Sequence, residues 1–365
     1  MLEEMVKRGA SDLHLKAGSP PALRLDGQIE RLDLPPLGVE ELEALGREVM
    51  SPTQFQQFQE SRDLDFSFGV KGLARFRANF CRQRGTVAAT LRVVPMKIPS
   101  LEDLQLPVVL QELALRPRGL LLVTGTVGSG KSTTLAAVVG HINQHRRAKV
   151  VTVEDPIEFL HIDQQSQILQ REVGTDTAGF ASALRYALRQ DPDVIMVGEI
   201  RDAETMGIAL TAANTGHLVL STLHTVDAAQ TVNRIISFFP PHQHRDVRYM
   251  VSSCLLGVVS LRLVARASGE GRVPAVELLV ATPTIREYLV EPEKTGLIGD
   301  CIAEGASQYG MQTFDQSLLR LFHEGKITRE EALRHASRPS DFELSLQGIQ
   351  RHADLGWQES SAARP

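Results

Sequence analysis

The sequence predicts an α/β protein of two domains, the larger of which holds a mostly parallel sheet covered by helices on both faces. The chain has 365 residues, a length that suits two domains of ordinary size. From Gly119 onward, short apolar runs rich in β-branched residues alternate with helical segments, as in parallel strands joined by helical crossovers. Before residue 95, several runs alternate polar and apolar residues around two helical segments, which predicts a separate, small α/β domain.

The predicted N-terminal domain spans residues 1–95. Two of its segments, VEELEALGREVM and SPTQFQQFQE, have helical spacing. Ser51 followed by Pro52 is a favourable helix start, because serine caps a helix and proline suits its first turn. The predicted strands are Asp12–Leu15, Pro21–Leu32, Leu64–Phe68, Ala74–Arg84 and Thr86–Val94.

A proline-containing linker with a short helix is predicted over residues 96–117, and the second domain over residues 118–340. The apolar runs LLLVTG, KVVTVED, DVIMVGE and HLVLSTL are its predicted strands. Helical segments are expected to predominate after about Pro240. Residues 341–365 are expected to form a loosely held tail.

Composition argues against several classes of protein. No run of about 18 apolar residues occurs and the N-terminus lacks an apolar signal core, so we expect a cytoplasmic protein whose membrane association is peripheral. The formal net charge of −5 argues against a nucleic-acid partner. The three cysteines show no CxxC spacing, so reduced, buried thiols are expected rather than a zinc site.

The segment GTVGSGKS, Gly125–Ser132, fits the phosphate-binding pattern GxxxxGK[ST] between a predicted strand and a predicted helix. Glycines let backbone N–H groups close around a triphosphate, and the helix N-terminus favours the anion. In this pattern the lysine reaches the β- and γ-phosphates and the Ser132 hydroxyl binds Mg²⁺. The predicted nucleotide-binding residues are Gly125, Thr126, Val127, Gly128, Ser129, Gly130, Lys131, Ser132 and Thr133.

Two acidic segments follow predicted strands. Glu199, at the end of DVIMVGE, is the predicted partner of Mg²⁺, either directly or through its water shell. The segment VTVEDPIEF places Glu154, Asp155 and Glu158 after another strand, and Pro156 forces a turn there. Because ligands lie beyond the carboxyl ends of parallel strands, one of these carboxylates is expected to orient the attacking water. Solvated acids at strand ends are the alternative.

The segment NTGHLVLSTLHT has a histidine at each end of its apolar strand, His217 and His224. Either can be a structural histidine. His224, at the strand exit beside two threonines, is the better candidate for a residue that senses the phosphates.

These four segments, in this order and spacing, resemble the Walker A, Asp box, Walker B and His box of the secretion ATPases of type II secretion and type IV pili. The resemblance runs from about Ala10 to Pro339. The opening ASDLHL and the short N-terminal domain resemble the retraction branch of that family, which uses ATP and Mg²⁺ to remove pilin subunits from the fibre and so drives twitching motility.

The resemblance implies a PAS-like N-terminal domain and a RecA-like ATPase domain with C-terminal helices, assembled as a homohexameric ring with nucleotide between the domains. It implies an inner-membrane, PilC-like platform protein of the pilus machinery as partner. Its implied site residues are Lys131 and Ser132 in the P-loop, Glu158 as general base, Glu199 in Walker B, the pair His217 and His224, and Arg77 and Arg92 as N-terminal-domain arginines that reach the nucleotide.

Three departures from the family pattern are visible. Thr126-Val127 replaces the usual Pro-Thr of the P-loop, at positions that point away from the phosphates. The retraction-associated segment AIRNLIRE appears as TIREYLVE, of which Ile285 and Arg286 match the pattern. The tetracysteine zinc element and long N-terminal extension of assembly ATPases are absent from this sequence, which favours the retraction branch.

Four alternatives stay open at this point. The chain can be an accessory retraction ATPase of the PilU kind or an assembly ATPase for a pilus or pseudopilus. It can also be a DNA translocase, against which the acidic balance argues, or a non-hydrolysing regulatory subunit, against which Glu158 and Glu199 argue.

Overall fold

The computed structural model of the protein describes residues 1–25, 27–95 and 97–346. The chain divides into two compact units. The first unit is Met1–Lys97 together with the short segment Pro156–Leu160, and the second contains Ile98–Asp155 and the described residues from His161 onward. A stretch of sequence that lies inside the predicted range 118–340 therefore belongs to the N-terminal unit.

The first unit is built on an antiparallel sheet. Within the described residues, six strands form this sheet in the order β3-β2-β1-β6-β5-β4, with two helices inserted between β3 and β4. The elements are α1 (Leu2–Lys7), β1 (Asp12–Lys16), β2 (Ala22–Leu25), β3 (Gln28–Arg31), α2 (Val39–Val49), α3 (Pro52–Ser61), β4 (Asp63–Val70), β5 (Ala74–Gln83) and β6 (Thr86–Val94).

Local signals in the first unit were largely sufficient to find its elements. The Ser51 hydroxyl accepts a hydrogen bond from the Gln54 amide at 3.3 Å, so α3 begins at the predicted cap. The predicted strand Pro21–Leu32 is wrong in extent, because the chain turns at Gly27, which has a φ of 83°, and forms the two strands β2 and β3 instead. The helix α1 has no counterpart in the prediction.

The second unit contains seven strands within the described residues, in the order β13-β12-β7-β11-β10-β8-β9. The six neighbouring strands β12, β7, β11, β10, β8 and β9 all run parallel to one another, and β13 pairs antiparallel with β12. The strands are β7 (Gly119–Gly125), β8 (Lys149–Glu154), β9 (Gln167–Glu172), β10 (Val194–Val197), β11 (Leu218–Leu223), β12 (Leu255–Ala265) and β13 (Arg272–Val280).

Helices cover both faces of this sheet. Leu120 and Leu122 of β7 pack into one apolar cluster with helices α6 to α11, whereas Leu121 and Val123 pack into a second cluster with α4 and α5. This alternation confirms the predicted mixed α/β class. The helices are α4 (Val109–Ala114), α5 (Lys131–His145), α6 (Phe180–Ala187), α7 (Ala203–Asn214), α8 (Ala228–Ser237), α9 (His244–Cys254), α10 (Pro283–Val290), α11 (Ile298–Glu304), α12 (Ala306–Tyr309), α13 (Phe314–His323), α14 (Arg329–His335) and α15 (Pro339–Leu346), with 3₁₀ helices at Pro241–Gln243 and Pro292–Leu297.

Helices predominate among the described residues after Pro240, as expected, but the hairpin β12–β13 was not predicted, and it extends the sheet by two strands on the β7 side. An apolar run of this length suits a buried strand or a buried helix equally, so periodicity did not distinguish them. Strand β9 was also missed. Helix α15, with Phe342 buried, enters the predicted tail 341–365, and residues 347–365 lie outside the described residues.

The expectations about membrane spans and about cysteines can be compared with the described part of the chain. None of its helices combines the length and the apolar character that a membrane span requires. The cysteines are unbridged, as expected, but only Cys254 is buried, and Cys81 and Cys301 are half-buried.

Candidate functional site

The strand order brings four of the sequence-predicted segments to one edge of the second sheet. Strand β7 lies beside β11, β11 beside β10, and β10 beside β8, all parallel. The residues that follow these strands therefore emerge at the same edge, with neighbouring strands about 4.8 Å apart. These segments begin at Thr126, Asp155, Gly198 and His224.

The loop after β7 has the backbone of a phosphate-binding loop. Gly125, Gly128 and Gly130 have φ values of 144°, 76° and 94°, which residues with a side chain rarely adopt. A Cβ on Gly125 would lie 2.6 Å from the Leu261 carbonyl oxygen, whereas a Cβ on Gly128 or Gly130 would meet nothing within 4 Å. The loop is thus closely packed at its base and open where the phosphates of a nucleotide would lie.

Lys131 and Ser129 supply polar groups to this loop. Lys131 is buried at the start of α5, and its Nζ donates to the carbonyl oxygens of Gly125 at 2.9 Å and Thr126 at 2.8 Å. The Ser129 hydroxyl is buried and has no hydrogen-bond partner among the described residues. A lysine, a buried hydroxyl and the N-terminus of a 15-residue helix together fit an anionic ligand.

The remaining P-loop residues line or border the same loop. Ser132 and Thr133, in the first turn of α5, are half-buried. Thr126 and Val127, the two departures from the family's P-loop, are exposed, Val127 by 88%.

Glu199 follows β10 at the same edge. Its side chain is only 14% exposed, and its Oε2 lies 3.1 Å from Nε2 of His224 at the exit of β11. Its Oε1 forms an ion pair with the guanidinium of Arg201. Both oxygens of the predicted metal-binding carboxylate are therefore engaged by cationic or potentially cationic groups of this chain.

The backbone around Glu199 is held on both sides by neighbouring strands. The Gly198 amide donates to the Val153 carbonyl at 2.8 Å, and the Ile200 amide donates to the Thr222 carbonyl at 3.2 Å. The Thr222 hydroxyl donates to the Gly198 carbonyl at 2.7 Å. A Cβ on residue 198 would lie 3.4 Å from the Val153 carbonyl oxygen, which is an ordinary van der Waals contact.

The two predicted histidines lie at opposite ends of β11. His224 is at the carboxyl end, near Glu199, whereas His217 precedes the strand at the opposite edge of the sheet. Nδ1 of His217 lies 3.1 Å from the carbonyl of Ala212 near the end of α7. The structure therefore brings His224 but not His217 to the P-loop edge.

The acids after β8 separate into two environments. Glu154 is buried and accepts hydrogen bonds from the Thr152 hydroxyl at 2.6 Å and the Gln170 amide at 3.0 Å. Glu158 lies in the segment that belongs to the first unit, and its Oε1 is 3.8 Å from Nη1 of Arg77. The assignment of Glu158 as general base stays a prediction.

Arg77 and Arg92 face each other directly across strands β5 and β6. Like charges at opposed positions destabilise a sheet, so acidic partners are required. Arg77 has Glu158, and Nε of Arg92 donates to Asp12 Oδ1 at 2.8 Å. Burial acts to raise the pKa of Asp12, but hydrogen bonds from Arg92 and Ser11 and the Arg92 charge outweigh it, so this pKa lies below its ordinary value.

Sequence reasoning missed Asp12 and Arg201. Asp12 sits in a strand that was predicted, and its 3% exposure is the unusual feature, which only packing reveals. Arg201 follows Glu199 by two residues. A charged residue soon after a strand is common, so the sequence gives no indication of the ion pair with Glu199. Within the described residues, no group of three or more metal-ligating side chains forms a closed metal site.

The parallel sheet, the P-loop and the carboxylate at the shared strand edge define the chain as a P-loop ATPase. The model of the family described as "Type II/IV secretion system protein" matches residues 1–293, and the chain belongs to that family. The family resemblance drawn from the sequence is confirmed.

Individual relatives agree with this membership. The chain is 46% identical to the "Type IV pilus retractation ATPase PilT" of Pseudomonas aeruginosa over 94% of this chain and 98% of that protein. It is 40% identical to the "Type IV pilus ATPase PilU" of the same organism over 97% of this chain and 92% of the relative. The crystal structure of the pilus retraction motor PilT with bound ADP superposes with a TM-score of 0.86 at 47% identity, covering 94% of this chain and 98% of that one.

Proposed function

We propose that this chain is an ATPase motor that powers type IV pilus retraction. The observation that carries the proposal is the 46% identity with a pilus retraction ATPase along nearly the whole of both chains. The intact P-loop and the carboxylate Glu199 support ATP hydrolysis and count against a non-hydrolysing subunit. Removal of pilin subunits from the fibre, and hence twitching motility, is the proposed output.

The residues at the strand edge fit ATP and Mg²⁺. The loop glycines, Ser129 and Lys131 would hold the phosphates, and the oxygens of Ser132 and Glu199 are donors of the kind that Mg²⁺ prefers. A bound Mg²⁺ would neutralise charge on the β- and γ-phosphate oxygens. Glu158 is the proposed base that orients water and accepts its proton, and His224 holds Glu199 in position.

The finer architecture is proposed from the same resemblance. The antiparallel sheet of the first unit, with α2 and α3 inserted between its strands, supports a PAS-like domain. The second unit supports a RecA-like domain, because β11 separates the P-loop strand β7 from the Walker B strand β10. Arg77 and Arg92 are proposed to reach nucleotide during the cycle.

We also propose a homohexameric ring as the working form, with a PilC-like inner-membrane platform protein as its partner. Its location would be cytoplasmic and peripheral at the inner membrane through the pilus machine, with no nucleic-acid partner. Loss of the γ-phosphate contacts on hydrolysis would allow the domains to reorient, and such changes around a ring would turn the platform.

The test uses cells that lack this protein and carry labelled pili. Wild type is expected to restore pilus shortening, whereas Glu158→Gln is expected to leave many long, static pili because the proposed base is lost. Glu204→Gln, a change of the same kind at an exposed ion pair on α7, serves as the control and is expected to behave as wild type. Bald cells with the Glu158 variant would indicate an assembly motor instead. Pili that are the same in cells with and without the protein would overturn the pilus assignment.

An accessory retraction ATPase is the second candidate, favoured by the 40% identity with PilU over 97% of this chain. The deletion strain distinguishes the two roles. Loss of a principal motor is expected to abolish shortening, whereas loss of an accessory motor is expected only to reduce it. Hydrolysis by the purified protein with and without DNA tests the translocase alternative, for which DNA stimulation is the expected sign.

A further inference from the structure

Arg201 is the charged partner of Glu199 that the P-loop ATPase assignment leaves unexplained. Its guanidinium pairs with Oε1 of Glu199, while His224 approaches Oε2. The Arg201 side chain is 71% exposed, so this pair is not part of the core. Glu199 itself is 14% exposed, so its carboxylate has little access to water and depends on its partners for stabilisation.

The neighbouring acid does not compete for Arg201. Asp202 caps helix α7, with Oδ1 accepting from the Thr205 amide at 2.8 Å and Oδ2 from the Thr205 hydroxyl at 3.0 Å. The backbone of Glu199 is held by the hydrogen bonds of Gly198 and Ile200 described above. The carboxylate therefore stays in place while the long, exposed arginine side chain has room to move away.

We propose that Arg201 is the resident counter-ion of Glu199, a positioning residue that neutralises this carboxylate until a divalent cation displaces it from Oε1. The proposal rests on the proposed nucleotide site. A carboxylate with so little exposure is stabilised by a positive partner. A guanidinium and a divalent cation beside the same oxygen repel each other, so binding of the one weakens binding of the other. Arg201 thus sets the cation concentration at which the site becomes loaded.

The experiment measures Mg²⁺-dependent binding of a fluorescent ADP analogue to the full chain. In Arg201→Gln, the Mg²⁺ concentration at half-maximal binding is expected to fall about fivefold, the size of effect typical of an exposed ion pair that no longer competes. In a Glu199→Gln background, Arg201→Gln is expected to produce no such shift, because the contested carboxylate is gone.

Arg185→Gln is the matched control. Arg185 is 60% exposed and pairs with Glu204 of helix α7, so the variant removes an equivalent surface ion pair and is expected to leave the Mg²⁺ midpoint unchanged. A midpoint that is unchanged or raised in Arg201→Gln, or an equal fall in the Glu199→Gln background, would overturn the proposal. Failure of wild type to bind the analogue at any Mg²⁺ concentration would instead overturn the nucleotide site itself.

Discussion

Nε2 of His224 lies 3.1 Å from Oε2 of Glu199, which joins the ends of two neighbouring parallel strands at the P-loop edge. The contact places the second histidine of NTGHLVLSTLHT against one oxygen of the proposed metal-binding carboxylate. His217, at the other end of the same strand, contacts the end of α7 instead. The pair is thus a natural comparison between a site histidine and a structural one.

Replacing His224 by asparagine is expected to lower kcat for ATP hydrolysis by about 10- to 100-fold, as for other residues that orient a metal ligand. His217→Asn is the control, and its kcat is expected to stay within about twofold of wild type. Steady-state hydrolysis at saturating ATP and Mg²⁺ measures both. Equal losses in the two variants would show that the contact with Glu199 is not the cause.

Gly125→Ala is expected to reduce stability by about 2–4 kcal/mol, because it combines a φ of 144° with a Cβ 2.6 Å from the Leu261 carbonyl. Gly128→Ala has the unfavourable φ of 76° but open space around its Cβ, so about 1 kcal/mol is expected. Thermal unfolding compares the two proteins. If Gly128→Ala proves the more damaging to stability, close packing at the base of the loop is not the main reason that a glycine is needed there.

Asp12→Asn is expected to destabilise the first unit at neutral pH by about 1–3 kcal/mol, because the buried carboxylate and Arg92 lose their ion pair. The pKa of Asp12 in the folded chain is below its ordinary value of 3.8. Its stabilisation is therefore present above that value and is lost as pH falls through the lower, folded-state pKa. The difference in unfolding free energy between wild type and variant should thus shrink at acid pH, and a constant difference from pH 7 to pH 3 would contradict this origin.

Glu277 is a buried carboxylate on β13 that accepts a hydrogen bond from the Ala228 amide at 2.8 Å, at the start of α8. Burial raises its pKa to about 7, opposed by the Ala228 hydrogen bond and by Arg262, while the charges of Asp227 and Asp315 add to the increase. A raised folded-state pKa favours the fold at low pH, and this advantage is lost as pH rises through about 7.

Glu277→Gln keeps an oxygen that accepts from Ala228 but cannot ionise. The variant is expected to be more stable than wild type at pH 8, by at most about 3 kcal/mol, with a smaller gain as pH falls toward 5. Unfolding by urea at a series of pH values measures the change. A gain that is the same at pH 5 and pH 8 would indicate that Glu277 does not titrate between them.

The P-loop strand, the helix after it and the exits of β8, β10 and β11 were predictable from sequence, because each has a local signature. Buried strands appear as short apolar runs, and a glycine-rich turn before a helix identifies the phosphate loop. The rule that parallel strands share a carboxyl edge then places Glu199 and His224 near Lys131 without knowledge of the folded structure.

Tertiary structure decided which side chains meet. No local pattern indicates that Asp12 is buried against Arg92, that Arg201 pairs with Glu199, or that Glu158 packs within the N-terminal unit beside Arg77. The same holds for the hairpin β12–β13, whose apolar run suited a helix as well as a strand until β7 provided a pairing edge. Periodicity reflects the geometry of a single element, whereas partners far apart in sequence are selected by packing, desolvation and charge between elements, which exist only in the folded chain.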